Sequence, residues 1–268
     1  MKKNILFLIS FFFLLGKMTA QNGWTQKADF GGGIRWAAAS FSIGDKGYMG
    51  MGASTATFFH DLWEWDPATN VWTQKASIAA VGRFWGTGFS IGNKGYMGLG
   101  ANFSGFYTDF YEYDQAGNTW TPKAPFTGAG RDQTVSFSIG TKGYVGTGRT
   151  AAGAVRDFWE YDPALDAWTK KADFGGSARI DAAGFSIGSK GYIGTGIDSV
   201  DRKDLWEYDP GTDAWTQKND LPGAARQFSV GFSIGTKGFF GLGTDESTIN
   251  LLFFYDLYEW DQPTDTWT

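Results

Sequence analysis

Phe41-Ser42-Ile43-Gly44-Asp45-Lys46-Gly47-Tyr48-Met49-Gly50-Met51-Gly52 returns, with small changes, as Phe89 to Gly100, Phe137 to Gly148, Phe185 to Gly196 and Phe232 to Gly243. Five copies make the chain a repeat array. Ahead of each copy stands an arginine; Arg35 leads into Trp36 to Ile43, a first strand rich in small and aromatic residues. Small side chains suit a strand that crowds around a central axis. Gly44-Asp45-Lys46-Gly47 suits a tight hairpin, with Asp45 and Lys46 in a type I turn and Gly47 in the left-handed position. Tyr48 to Gly52 is the second strand, its glycines allowing close backbone approach.

After a variable loop, 53–60, comes Asp61-Leu62-Trp63-Glu64-Trp65. Alternation places Trp63 and Trp65 on one face of this third strand and Leu62 and Glu64 on the other. Asp66 to Asn70 is a turn, since Asp accepts local backbone bonds and Pro67 fixes φ. The fourth strand is Val71-Trp72-Thr73-Gln74-Lys75, and a Gly-rich link leads to Arg83. The Trp-Thr pairs at Trp24, Trp72, Trp120, Trp168, Trp215 and Trp267 are spaced 48, 48, 48, 47 and 52 residues apart. A period near 50 made of short strands predicts an all-β propeller of four-stranded blades. Aromatic content of 18% and 39 glycines agree with packed sheets joined by tight turns.

Arginine at the start of each unit, tyrosine with paired glycines, an aromatic-Glu-Tyr-Asp-Pro strand and a closing tryptophan together resemble the kelch repeat. The likeness spans residues 22–268. The glycines are separated by one residue rather than adjacent, a form that is similar to that of exported bacterial kelch proteins. The repeat units run about 24–71, 72–119, 120–167, 168–214 and 215–268, within a domain 21–268. Kelch-type rings let one terminus complete the other's blade. Five units plus a spare fourth-strand sequence at Trp24 therefore suggest a piece of a six- or seven-blade ring; the rival is a tight ring of five.

Lys2, Lys3 and the apolar run Ile5 to Leu15, with Ala20 as a small residue, predict a signal peptide over 1–20 and export to the periplasm, cell surface or medium. The run is too short for a span of about twenty residues, and no membrane span is expected in the mature chain. Removing 1–20 takes three of the 23 bases and none of the 28 acids, leaving a net charge of −8. That balance argues against nucleic acid as a partner. With no cysteine in the chain, burial must stabilise the fold without disulfides.

In an up-and-down blade the turns after strands 1 and 3 share one end. That end is nearly identical in all units. The loops after strand 2 and the links into strand 1 share the other end and carry the variation, which makes it the candidate ligand face. Its candidates are the ring Arg35, Arg83, Arg131, Arg179 and Arg226, and the residues beside it: Trp36, Phe84, Trp85, Asp132 and Asp181. Phe59, Phe106 and Tyr107 of the strand 2–3 loops join them. The arginines read either as a cationic ring at the channel mouth, able to fork onto carboxylates or sulfates, or as scaffold groups bonded within the blades. The lysines beginning each second strand are expected to be solvated, and Glu64 and its copies to be scaffold partners.

Catalytic chemistry finds little support. Copper oxidases that share the kelch propeller need a Cys–Tyr crosslink and histidine ligands, whereas this chain has no Cys and only His60. A histidine metal site or Ser-His-Asp triad fails on the same count, and no cofactor is implied. The expected function is an exported binding module for a protein or a glycan, with a sugar mutarotase or epimerase as the alternative, working through an acid pair such as Asp132 and Asp181.

Overall fold

The computed structural model describes residues 25–245 and 252–268. The expected signal peptide and Trp24 lie outside the described residues. The chain builds five blades, each a four-stranded antiparallel sheet, in a propeller. In blade 1 these strands are β1 (Ala39–Ile43), β2 (Lys46–Gly50), β3 (Leu62–Asp66) and β4 (Val71–Lys75). Blades 2 to 5 repeat them, ending at Thr266–Trp267. The five inner strands stand side by side in chain order. Among the described residues, no helix is long and apolar enough to cross a membrane.

The first hairpin differs from expectation. Ile43 pairs with Lys46 across a two-residue Gly44-Asp45 loop. Gly44 carries the positive φ, 57°, which is the type II′ form that matches strand twist. Gly47 instead lies within β2. At its copies Gly95 and Gly143, an added Cβ would lie 2.2 Å from the ring of Phe41 or Phe89 in the preceding blade.

The core is laid between blades. Ala39, Phe41, Ile43 and Leu62 of blade 1 pack with Met97 and Tyr113 of blade 2. Phe89 and Phe110 meet Val145, Tyr161 and Trp168 of blade 3 in the same way. A polar staple accompanies each junction: Trp120 Nε1 donates to Ala76 O at 2.8 Å, and Asn118 Oδ1 accepts from Ala76 N at 2.9 Å. Trp168 with Asp166 on Ala124, and Trp215 with Asp213 on Ala172, repeat it.

The uniform end is held by ion pairs, not by free lysines. Lys46 meets Asp66 at 2.6 Å, Lys94 meets Asp114 at 2.9 Å and Lys190 meets Asp209 at 2.6 Å. The glutamates are scaffold acceptors as expected. Tyr96, Tyr144 and Tyr192 donate to Glu112, Glu160 and Glu207 at 2.6–2.7 Å, and Tyr48 donates to Glu64. Burial, then the carboxylate, pushes these phenols well above their usual range. Blade 5 has Phe239 at this place, so the ring matters more than its hydroxyl. Tyr144→Phe is accordingly expected to cost only about 1–2 kcal/mol in urea unfolding; a loss above about 4 kcal/mol contradicts this scaffold role.

Candidate axial-mouth site

Each leading arginine is enclosed by its own blade. Their side chains are at most 2% exposed. Nη2 donates to Asp61, Asp109, Asp157, Asp204 and Asp256 at 2.8–2.9 Å, in that order around the ring. Nη1 adds a bond to the same aspartate and another to the carbonyl of Met51, Leu99, Thr147, Thr195 or Leu242. Those carbonyls belong to left-handed residues with φ of 53–60°, which explains the Gly-X-Gly spacing. The middle residue turns its carbonyl to the arginine, and the second glycine, φ 85–95°, abuts the backbone of the link.

Of the two readings of the arginines, this is the scaffold one, not the cationic ring. Arg35, Arg83, Arg131, Arg179 and Arg226 are bonded inside the blades, with Arg35 Nε buried and unpartnered among the described residues. Two aromatic candidates go with them. Phe59 lies 3.9 Å under the Arg35 guanidinium, and Tyr107 lies 4.1 Å under Arg83. These rings wall the arginines. Phe84 is buried at 8% exposure.

The links do bond to the strand 2–3 loops. Trp36, Phe84, Asp132, Ile180 and Gln227 each form a bridge to the loop residue of their own blade. The next position is the one that opens the site. Ala37, Trp85, Gln133, Asp181 and Phe228 all have φ between 49° and 55°. A left-handed backbone at a bulky residue is strained, and here it recurs in five blades with five different side chains. The residues that follow, Ala38, Gly86, Thr134, Ala182 and Ser229, are small.

Together these two positions form a cavity of about 320 Å³ at the axial mouth, lined by Trp85, Gln133, Asp181 and Phe228 and floored by the small residues. The channel continues below between inner strands lined by Ala, Ser, Thr, Gly and Val. One side of the mouth is aromatic. Trp36, 48% exposed, sits 5.7 Å from Trp85 at 66°. Phe228 on blade 5 is 42% exposed.

The other side is polar. Gln133 Nε2 donates to both Asp181 oxygens at 2.8 Å. That fixes the amide, because an Oε1 facing the carboxylate would be repelled. Gln133 Oε1 is thereby turned away, and this atom and Thr134 Oγ1 are buried with no partner among the described residues. Such orphan acceptors are costly unless a ligand or water meets them.

Asp132 and Asp181 are not a free acid pair. Asp132 is fully buried and bonded to Arg149 at 2.7 Å. Burial pushes its pKa up, against the opposing pull of Arg149. The Arg149 guanidinium stands 5.6 Å from Trp85 and 5.8 Å from Phe106, so a buried charge holds the cation that borders the aromatic side. Of the sequence candidates, the structure brings Trp85 and Asp181 to the mouth, with Trp36 packed on Trp85 and Asp132 and Phe106 behind them through Arg149. Thr134 was missed, while Gln133, Phe228 and Arg149 stand among the variable positions of that face without being singled out. Counting two residues on from each arginine finds Gln133 and Phe228, but only the backbone shows why that position faces the axis. Among the described residues, no group of three or more His, Cys, Asp or Glu is placed to hold a metal ion.

No protein-family model matches the chain, and no curated protein matches it. Among solved structures, one described as "Structure of YjhT" is similar, with a TM-score of 0.74 at 16% identity, covering 92% of this chain and 86% of that one. At this identity the likeness shows the fold alone, and 442 structure chains share it to a significant degree, so it narrows no function.

Proposed function

We propose that the axial mouth binds a carbohydrate and that the chain is a kelch-type, exported binding module. The observation that carries the ligand class is the pair of orphan acceptors, Gln133 Oε1 and Thr134 Oγ1, set beside Trp85 and Phe228. Hydroxyls supply the donors the two atoms lack, while the apolar C–H face of a sugar packs on aromatic rings. The cavity of about 320 Å³ suits one or two sugar rings. The kelch-like motif and the signal-like start support the family and the exported setting.

The sugar mutarotase or epimerase alternative draws on the same mouth, with Asp181 as its acid–base group. It is the weaker reading, because the five leading arginines are each held by an aspartate of their own blade and Asp181 is bonded to Gln133. The test is a glycan array probed with the wild-type protein and with Trp85→Ala. Wild-type signal on a defined set of sugars, lost in Trp85→Ala at unchanged melting temperature, is the expected result. A blank array, or equal signal from the variant, rejects the mouth as a sugar site.

A further inference from the structure

Given the carbohydrate reading of the mouth, on which this rests, we infer that the aromatic strip running outward over blades 1 and 2 is a second sugar subsite, so that the ligand is a neutral oligosaccharide and not a single sugar. Trp85 lines the mouth, and Trp36 meets it edge-on at 5.7 Å. Trp36 also borders a separate hollow of about 120 Å³, lined by Phe58 and Phe103 and by the hydroxyl residues Ser54, Thr55 and Thr57. Phe58 and Phe103 meet edge to face at 4.9 Å. Trp36 thus links the mouth to the hollow.

Phe103 is held out in water by its own turn. It is 92% exposed and stands at the tip of a two-residue hairpin in which Asn102 pairs with Gly105. Asn102 fixes that tip: its Oδ1 accepts from Ser104 N at 2.8 Å, and its Nδ2 donates to Gly82 O at 3.1 Å. The hairpin does not need the ring. Blade 3 builds the same turn, Thr150 paired with Gly153, with Ala151 at the tip. An exposed ring on a fixed turn beside a hollow suits the apolar face of a ligand.

The lining points to a neutral ligand. Residues 53–58 and 101–106 hold no acid and no base, whereas 198–203 of blade 4 holds Asp198, Asp201, Arg202 and Lys203. A carboxylated or sulfated unit finds no counter-ion in these two loops. A hydroxyl finds partners. Ser54 Oγ accepts from the Ala56 and Thr57 N–H groups, both at 3.2 Å, which leaves its own proton to donate, and Thr55 and Thr57 are exposed beside it. Rings for the C–H faces and hydroxyls for the hydroxyls are the contacts a neutral sugar needs.

The strip is also rigid. Phe84, buried at 8% exposure, backs it from 5.1 Å under Trp36 and 5.5 Å under Phe58. Rings already fixed by packing lose little freedom when a ligand arrives, so more of the contact energy appears as affinity. A chain threaded along the strip places one unit in the mouth, the next over Trp36 and another against Phe103.

The test is a printed array of neutral gluco-, manno-, galacto- and xylo-oligosaccharides, each as the single sugar and as longer chains, with the matching uronic acid chains, probed with wild type, Phe103→Ala and Phe103→Trp. In the neutral series that bind, chains are expected to exceed the single sugar by about three- to tenfold, the worth of one ring contact. Phe103→Ala should lose that gain while keeping the single-sugar signal and the melting temperature, and Phe103→Trp, which keeps a ring at the tip, should retain it. Equal signal from single sugars and chains, or a length gain that Phe103→Ala leaves intact, overturns the subsite while the mouth reading stands. Stronger binding of the uronic acid chains than of the neutral ones overturns it as well. So does self-association of the wild type that Phe103→Ala abolishes, which would give the strip to a second copy. A blank array rejects the mouth reading and the subsite together.

Discussion

Arg131→Ala is expected to remove about 3–5 kcal/mol of stability, enough to unfold much of the protein at 37 °C. The guanidinium donates to both Asp157 oxygens, to Thr147 O and to Ala129 O, and it lies over Phe126. Truncation leaves Asp157 beside an empty, largely buried slot and frees the Thr147 carbonyl of a left-handed residue. Arg131→Lys should recover less than half, since an ammonium cannot fork onto a carboxylate and reach two carbonyls at once. Urea unfolding with matched circular dichroism measures both. A loss below about 1 kcal/mol for Arg131→Ala would return the arginine ring to the ligand face.

The same pairs set an acid limit. Burial raises the Asp157 pKa, but bonds from Arg131 and Trp159 outweigh it and hold the carboxyl below its usual 3.8. Arg226 lowers Asp256. A depressed acid contributes stability that is complete above the ordinary carboxylate range and is lost as pH falls through the lowered value. Unfolding should therefore steepen below about pH 3.8, and in Arg131→Ala that steepening should weaken.

Gly148→Ala is the second large effect, about 3 kcal/mol, against about 1 kcal/mol for Gly140→Ala. Both glycines have positive φ, 95° and 58°. At Gly140 a Cβ meets nothing within 4 Å, so the cost is backbone strain alone. At Gly148 it would stand 2.5 Å from Asp132 O, which is backbone and cannot swing aside. The push falls on the residue before Gln133, so sugar binding should weaken along with stability. Equal costs at the two sites would mean that the link is free to move.

The blades were legible because their chemistry is written five times. Arginine, the spaced glycines and the Trp-Thr pair each fill one structural place, and repetition separates such places from drift. The same repetition pointed to the arginines as scaffold groups, but not to their partner, because the aspartate that binds each one, Asp61 and its copies, reads simply as the start of a strand. The hairpin was misjudged for a related reason. Gly44 and Gly47 both recur, and sequence does not say that the first makes the turn while the copies of the second, Gly95 onward, meet a neighbouring blade's Phe. The mouth was half visible: its loops vary, but the left-handed backbone that turns Trp85, Gln133 and Phe228 to the axis leaves no mark in residue type.

Calorimetric titration of the strongest array sugar against wild-type protein and Thr134→Val tests the carbohydrate site most directly. Valine keeps the shape and removes only a hydroxyl that has no partner within the described protein. The expected result is an unchanged melting temperature with binding weakened about tenfold, the worth of one hydrogen bond. Equal affinity in the two proteins would contradict the account.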